Sequence, residues 1–175
     1  MRSQVREALY AWLGDSVDGA RVLDLFSGSG SLGLEALSRG ASEVVFCERA
    51  RVCHRVIEAN LEALGLEGQA QILSVDLARG LGPLREHGAF ELVVMDPPFD
   101  VLRRAPGHGQ VCVRALLSEL ALSPTLADGG LVAFEAPARG FRVEPELADW
   151  GLSLRQRREY GTTSLWLLER ASPGP

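Results

Sequence analysis

The sequence predicts an α/β domain of the doubly wound, Rossmann-like kind, with seven strands that are mostly parallel and end in an antiparallel hairpin. Three observations predict it. Short apolar runs alternate with helix-like runs from residue 21 to about residue 136. A glycine-rich turn follows directly on the first of those runs. After residue 136 two strand-like runs lie too close together for a crossover, so they must pair antiparallel.

The chain opens with an amphipathic stretch, residues 2–13, expected to pack as a helix on the domain. Strands are expected at 21–26, 43–48, 70–75, 90–96 and 130–135. Helical segments are expected at 31–39, 51–64, a short stretch near 77–87, and 111–126. In the second of these, Val52, Cys53, Val56, Ile57 and Leu64 mark an apolar face, and Gly65 supplies a stop. The final pair of strands is expected at 151–158 and 162–169, joined at Tyr160-Gly161, and residues 171–175 read as a frayed tail.

At 175 residues the chain fits one domain, residues 1–175, and its 46% hydrophobic and 23% charged content is that of a globular protein. The apolar runs are too short to span a bilayer, and the first residues carry no secretory signal, so a cytoplasmic protein is expected. Cys47, Cys53 and Cys112 lack the spacing of a zinc site, and no metal is expected. All basic residues are arginines, suited to planar contacts with phosphates and bases. The net charge of −5 excludes a protein that coats nucleic acid through its overall field, so an RNA partner would need a local arginine patch.

The run Val22-Leu23-Asp24-Leu25-Phe26-Ser27-Gly28-Ser29-Gly30 is an apolar strand entering a glycine loop that opens a helix. Glycines let backbone approach a ligand closely, and a helix start offers unpaired N–H groups to an anionic group. Glu48 ends the second strand, where a carboxylate can accept from both hydroxyls of a ribose. Asp76, just past the third strand and followed by Leu77, can accept from an adenine amine. Gly28-x-Gly30-x-x-Gly33 with Glu48 also fits a dinucleotide fingerprint. A nicotinamide enzyme, however, needs a further domain for its substrate. Asp24 moreover suits the cationic methionine end of S-adenosylmethionine better than a pyrophosphate. The candidate cofactor residues are thus Asp24, Phe26, Ser27, Gly28, Gly30, Glu48, Asp76 and Leu77.

The fourth strand ends in Asp96-Pro97-Pro98-Phe99, placed beside the glycine loop if the strand order reverses there. The two prolines lack N–H donors and stiffen the turn, leaving carbonyls as acceptors. Asp96 and the Pro97 carbonyl can accept both hydrogens of an NH2 group, while Phe99 stacks on a flat base. Two acceptors on an arylamine favour a pyramidal nitrogen and aim its lone pair at an electrophilic methyl. Asp96, Pro97 and Phe99 are the candidate catalytic residues, with Pro98 beside them. Guanine N2, adenine N6, cytosine N4 and a glutamine amide all carry such a group. A cofactor-binding relative without turnover is the remaining alternative.

Together, Asp24-x-Phe26-x-Gly28-x-Gly30, Asp96-Pro97-Pro98-Phe99 and Tyr160-Gly161-Thr162-Thr163 resemble the bacterial 16S ribosomal RNA guanine-N2 methyltransferase family. The leading Val5-Arg6-Glu7-Ala8-Leu9-Tyr10-Ala11-Trp12-Leu13 is similar to that family's first helix. The resemblance implies a class I S-adenosylmethionine-dependent methyltransferase fold, with the methyl donor at the Gly28 loop, Glu48 and Asp76. It places the target guanine at Asp96 to Phe99, in 16S rRNA of an assembled or assembling 30S subunit. Family members begin with a basic hairpin rich in Gly and Arg ahead of this helix, for which these residues offer no counterpart. Arg103 and Arg104 after the proline turn, and Arg155, Arg158 and Tyr160 near the last hairpin, are the candidate RNA contacts of a protein expected to be monomeric.

Overall fold

The computed structural model describes residues 1–103 and 111–171. Seven strands form one sheet: β1 (Arg21–Leu25), β2 (Glu43–Cys47), β3 (Ala70–Leu73), β4 (Phe90–Met95), β5 (Leu126–Pro137), β6 (Leu152–Tyr160) and β7 (Thr163–Arg170). Their order is β3-β2-β1-β4-β5-β7-β6. The first five run parallel, and β7 lies antiparallel between β5 and β6. The order therefore reverses between β1 and β4, where Leu25 pairs with Met95. Open α/β sheets take ligands outside the carboxyl ends of strands at that reversal.

The central strands Val-Leu-Asp-Leu, Val-Val-Phe-Cys and Leu-Val-Val-Met read as nearly unbroken apolar runs because both sheet faces are covered. Helices α1 (Ser3–Leu13), α2 (Ser31–Ser38) and α3 (Arg51–Leu64) cover one face, burying Leu9, Tyr10, Leu32 and Ile57 against Val22, Phe46 and Val94. The Tyr10 hydroxyl donates to the Leu32 carbonyl at 2.6 Å, pinning α1 to the start of α2. On the other face α5 (Val113–Leu122) and α6 (Glu144–Trp150) lie over Val93, Phe134 and Trp166. Gly65 closes α3 with φ of 66°, where its N–H returns to the Leu61 and Glu62 carbonyls.

Several elements depart from expectation. The stretch near 77–87 is two 3₁₀ turns, Leu77–Arg79 and Gly82–His87, because Gly80, Gly82 and Pro83 interrupt any longer helix. Strand β5 begins at Leu126, and residues 127–130, with Asp128-Gly129-Gly130, bulge out of the ladder where the register shifts between Phe90 and Leu92 on β4. Two short helices, α4 (Phe99–Leu102) and α6, were not expected. The apolar face read in α3 is also different. Val52 and Leu64 are 67% and 58% exposed, and the buried residues are Ile57 and Leu61. The helix lies near the β3 edge of the sheet and buries only a narrow seam. No helix among the described residues is long and apolar enough to cross a membrane.

Candidate active site

Beyond the carboxyl end of β1 the chain turns sharply at Phe26, whose φ of 62° is unusual for a residue with a side chain. The Ser27 hydroxyl fixes this turn by donating to the Asp24 carbonyl at 2.7 Å. Gly30 then starts α2 at φ of 80°, a left-handed conformation that favours glycine. Gly33 is required for a different reason: a Cβ there would lie 2.3 Å from a Phe46 ring carbon. Its absence lets α2 sit close on the sheet, bringing the Gly33 N–H within 2.9 Å of Asp24 Oδ2.

Asp24 is 1% exposed, and its Oδ1 has no hydrogen-bond partner among the described residues. Burial pushes its carboxyl up to about 8; the Gly33 N–H opposes this, and the charges of Asp96 and Glu48 add to it. A buried carboxyl with one oxygen bare costs free energy unless that oxygen finds a partner. Glu48 clamps the loop on both sides, accepting from Gly28 N–H at 3.0 Å and Ala50 N–H at 2.9 Å. Each oxygen keeps a lone pair for a ligand hydroxyl. Asp76 caps the first 3₁₀ turn, accepting from Ala78 N–H at 3.2 Å, with Leu77 buried behind it.

At the end of β4 the Pro98 carbonyl is taken by the Val101 N–H at 2.9 Å, which caps α4. No hydrogen bond from the described residues reaches the Pro97 carbonyl. The Asp96 side chain is 29% exposed and accepts from the Met1 ammonium, so an N–H donor can reach it. Phe99 stands 41% exposed at the first position of α4.

Both motifs open on one cleft of about 830 Å³, within the range of small-molecule sites. Phe26, Ser27, Gly28, Glu48, Asp76 and Leu77 line it from the cofactor side, Asp96 and Pro98 from the other. Asp24 and Gly30 lie beneath it, both buried. The structure therefore brings Asp96 and Pro98 of the second motif into one space with the first, while Pro97 and Phe99 are not among the residues lining it. It also adds residues the sequence did not single out: Ser29, Arg49, Val75, Asp100 and Val101 line the cleft. Glu135, the last residue but two of β5, is buried beside Asp96. Its signal was available, an acid closing the apolar run Leu131-Val132-Ala133-Phe134 just as Asp96 closes its own.

The arginines are dispersed. Arg103 lines a separate cavity with Arg114, Phe141 and Trp150, and Arg104 lies outside the described residues. Arg158 stacks over the Tyr160 ring at 5.5 Å, and that ring meets Trp12 of α1 at 6.4 Å. Tyr160 pairs with Thr163, which pairs with Pro137, so this corner lies at the carboxyl end of β5, on the cleft side of the sheet. Arg155 is bound instead to Glu169 at 2.6 Å, and Glu169 pairs with Leu131 toward the amino end of β5, away from the cleft. Five residues of strand, roughly 16 Å, separate it from Tyr160.

The chain is similar to known methyltransferases over nearly its whole length. An Escherichia coli protein named ribosomal RNA small subunit methyltransferase D is 32% identical over 98% of this chain and 79% of its own. The Bacillus subtilis protein provisionally named rRNA methyltransferase YlbH is 30% identical over 95% of this chain and 85% of its own. A solved Escherichia coli structure, provisionally named a methyltransferase, matches 98% of this chain and 86% of its own with a TM-score of 0.79 at 29% identity. The family model described as Conserved hypothetical protein 95 matches residues 1–169, and the chain belongs to that family.

Proposed function

We propose that this methyltransferase moves a methyl group from S-adenosylmethionine to the exocyclic N2 amine of a guanine in small-subunit ribosomal RNA. The observation that carries the proposal is the shared cleft: the glycine loop of β1 and the acceptor turn of β4 open on it from adjacent strands. The substrate class follows the relatives, named as ribosomal RNA methyltransferases. The enzyme is expected to act as a single-domain monomer in the cytoplasm, where small subunits assemble.

The residues present fit the methyl donor. The bare Oδ1 of Asp24 suits a cationic methionine end, Glu48 retains acceptor capacity for ribose hydroxyls, and Asp76 with Leu77 and Val75 forms an acceptor-plus-apolar wall for adenine. S-adenosylmethionine supplies an electrophilic methyl on a positively charged sulfur. Asp96 and the Pro97 carbonyl take the two amine hydrogens, which releases the nitrogen lone pair from the purine ring and orients it toward the donor side of the cleft. Phe99 stacks on the base and holds it flat. Asp96 carries negative charge where the nitrogen becomes positive and, being part-exposed, can pass the shed proton to water. Arg103, Arg104, Arg158 and Tyr160 are assigned to the surrounding RNA.

Small-subunit particles lacking the modification, incubated with this protein and labelled S-adenosylmethionine, should gain label as N2-methylguanine. Label on adenine or cytosine, or none, would overturn the assignment.

A further inference from the structure

Glu135 is a buried carboxylate that the mechanism above leaves unused. It follows Phe134, whose neighbour on β4 is Met95, so it stands level with Asp96 on the adjacent parallel strand. Val94 on β4 and Ala133 on β5 face the core covered by α1 and α2. The two-residue period of a strand puts Asp96 and Glu135 on that same face. Glu135 is 4% exposed, and its Oε2 has no hydrogen-bond partner among the described residues. A bare buried carboxylate oxygen costs free energy, and such atoms in native folds call for a functional account. Burial raises the carboxyl's pKa, and the Asp96 charge adds to this. The Met1 ammonium, which donates to Asp96, draws it back down, as do a hydrogen bond with the Thr163 side chain and the charge of Arg2, so only Oε2 of this carboxylate is left bare. A donor group seated on Asp96 is therefore within electrostatic reach of Glu135 as well.

We propose that Glu135 determines base specificity, its carboxylate accepting the ring N1–H of the guanine whose adjacent amine is held by Asp96 and the Pro97 carbonyl. The inference rests on the assignment of a guanine amine to that turn. Guanine presents N1–H and the N2 amine as neighbouring donors on one edge. In adenine and cytosine the ring nitrogen beside the amine is an acceptor, which a carboxylate repels. Carboxylates on two adjacent strands, spaced about 4.8 Å apart, can thus address two adjacent donors on one base. The turn on β4 recognises an amine of any base, and the acid on β5 recognises what lies next to it.

The test uses small-subunit rRNA ligated from segments and assembled into particles, with guanine or 2,6-diaminopurine at the methylated position. Diaminopurine keeps the 2-amine but turns ring N1 into an acceptor. The wild-type chain should prefer guanine by about 100-fold or more in kcat/KM, because the analogue leaves Glu135 unpaired. Glu135→Gln, whose amide can donate as well as accept, should bring that ratio within about tenfold while donor affinity is unchanged. Equal wild-type rates on the two bases overturn the inference, as does a Glu135→Gln loss that falls equally on both. The wild-type ratio needs no variant, so the test survives a substitution that fails to fold. Absence of wild-type transfer to guanine is a separate outcome, which overturns the amine assignment and this inference with it.

Discussion

The donor half and the substrate half of the cleft are built on different principles. On the donor side the acids and the loop serine are already engaged by the protein: Glu48 by two backbone N–H groups, Asp76 by Ala78, Ser27 by the Asp24 carbonyl, while Asp24 Oδ1 is bare among the described residues. On the substrate side Asp96 is engaged by the chain's own Met1 ammonium, which a substrate amine must replace, Glu135 Oε2 lacks a partner among the described residues, and Phe99 is exposed. The donor half is finished in the free protein and preorganised for one small molecule. The substrate half waits for a base to complete it. Substitutions on the substrate side should therefore reduce turnover with little change in donor affinity, whereas those on the donor side should act through binding and stability.

The largest effect is expected at Asp96. Asp96→Ala removes an acceptor that acts on the reacting nitrogen, and should lower single-turnover transfer by about 1,000-fold or more. Donor affinity, measured by calorimetry, should change less than about threefold; a large loss would place Asp96 in the donor half and break the comparison. Next is Gly33→Ala, where the new methyl would meet Phe46 and Val44 at 2.3 and 2.7 Å. Overpacking of this kind costs about 1–3 kcal/mol, which corresponds to roughly 3–10 °C in Tm for a chain of this size. It should also weaken donor binding by moving the α2 start off Asp24. An unchanged Tm would show that the helix can shift freely and that the donor half is less rigid than its bonds imply.

Asp24 gives the donor half a pH signature. Its folded carboxyl titrates near 8 against an ordinary value of 3.8, so between those values the native state holds a proton that the unfolded chain does not. From this group, stability is full at low pH and falls by about 1.4 kcal/mol per pH unit as pH rises toward 8. Donor binding runs the opposite way, because a cation at Oδ1 requires the ionised form. Affinity should rise up to about tenfold per unit between pH 6 and 8, with release of a proton on binding. Asp24→Asn should flatten both slopes. Calorimetry in two buffers of different ionisation enthalpy measures the proton, and zero release by the wild-type chain would refute the cation site.

How far the sequence revealed this follows from the range of the interactions. The Gly28 loop, Glu48 and Asp96-Pro97-Pro98-Phe99 were legible because each is a short string whose chemistry is local and whose strand ends are marked by acids. Helix α4 is four residues long, and α6 carries Pro145 in its first turn, so neither shows a helical period. Asp128-Gly129-Gly130 spells a turn and keeps that local preference inside β5: Gly129 has φ of 72°, and the β4 register passes from Leu126 to Leu131 over it. The apolar face of α3 was read correctly at Ile57 and missed Leu61, since what lies over a helix is decided by the sheet order. Glu135 acquires meaning only from its strand neighbour: in one dimension it is a polar residue near a strand end, and in the sheet it stands next to Asp96.

The arginines carry the smallest and most discriminating prediction. Arg155, Arg158 and Tyr160 read alike in sequence, but the sheet sends them to different places. Arg158 and Tyr160 sit at the corner where the hairpin meets α1, on the cleft side, while Arg155 is tied to Glu169 toward the other end of the same strand. If phosphate contacts gather around the substrate half, Arg158→Ala should raise KM for small-subunit particles severalfold with kcat little changed. It should also reduce the salt dependence of binding by nearly one unit of log–log slope, the counterion release of one phosphate. Arg155→Ala should change KM by less than about twofold, since it removes an exposed ion pair worth under about 1 kcal/mol. Equal losses at both positions would mean that RNA runs along the whole β6 edge, and that the substrate half extends well beyond the cleft.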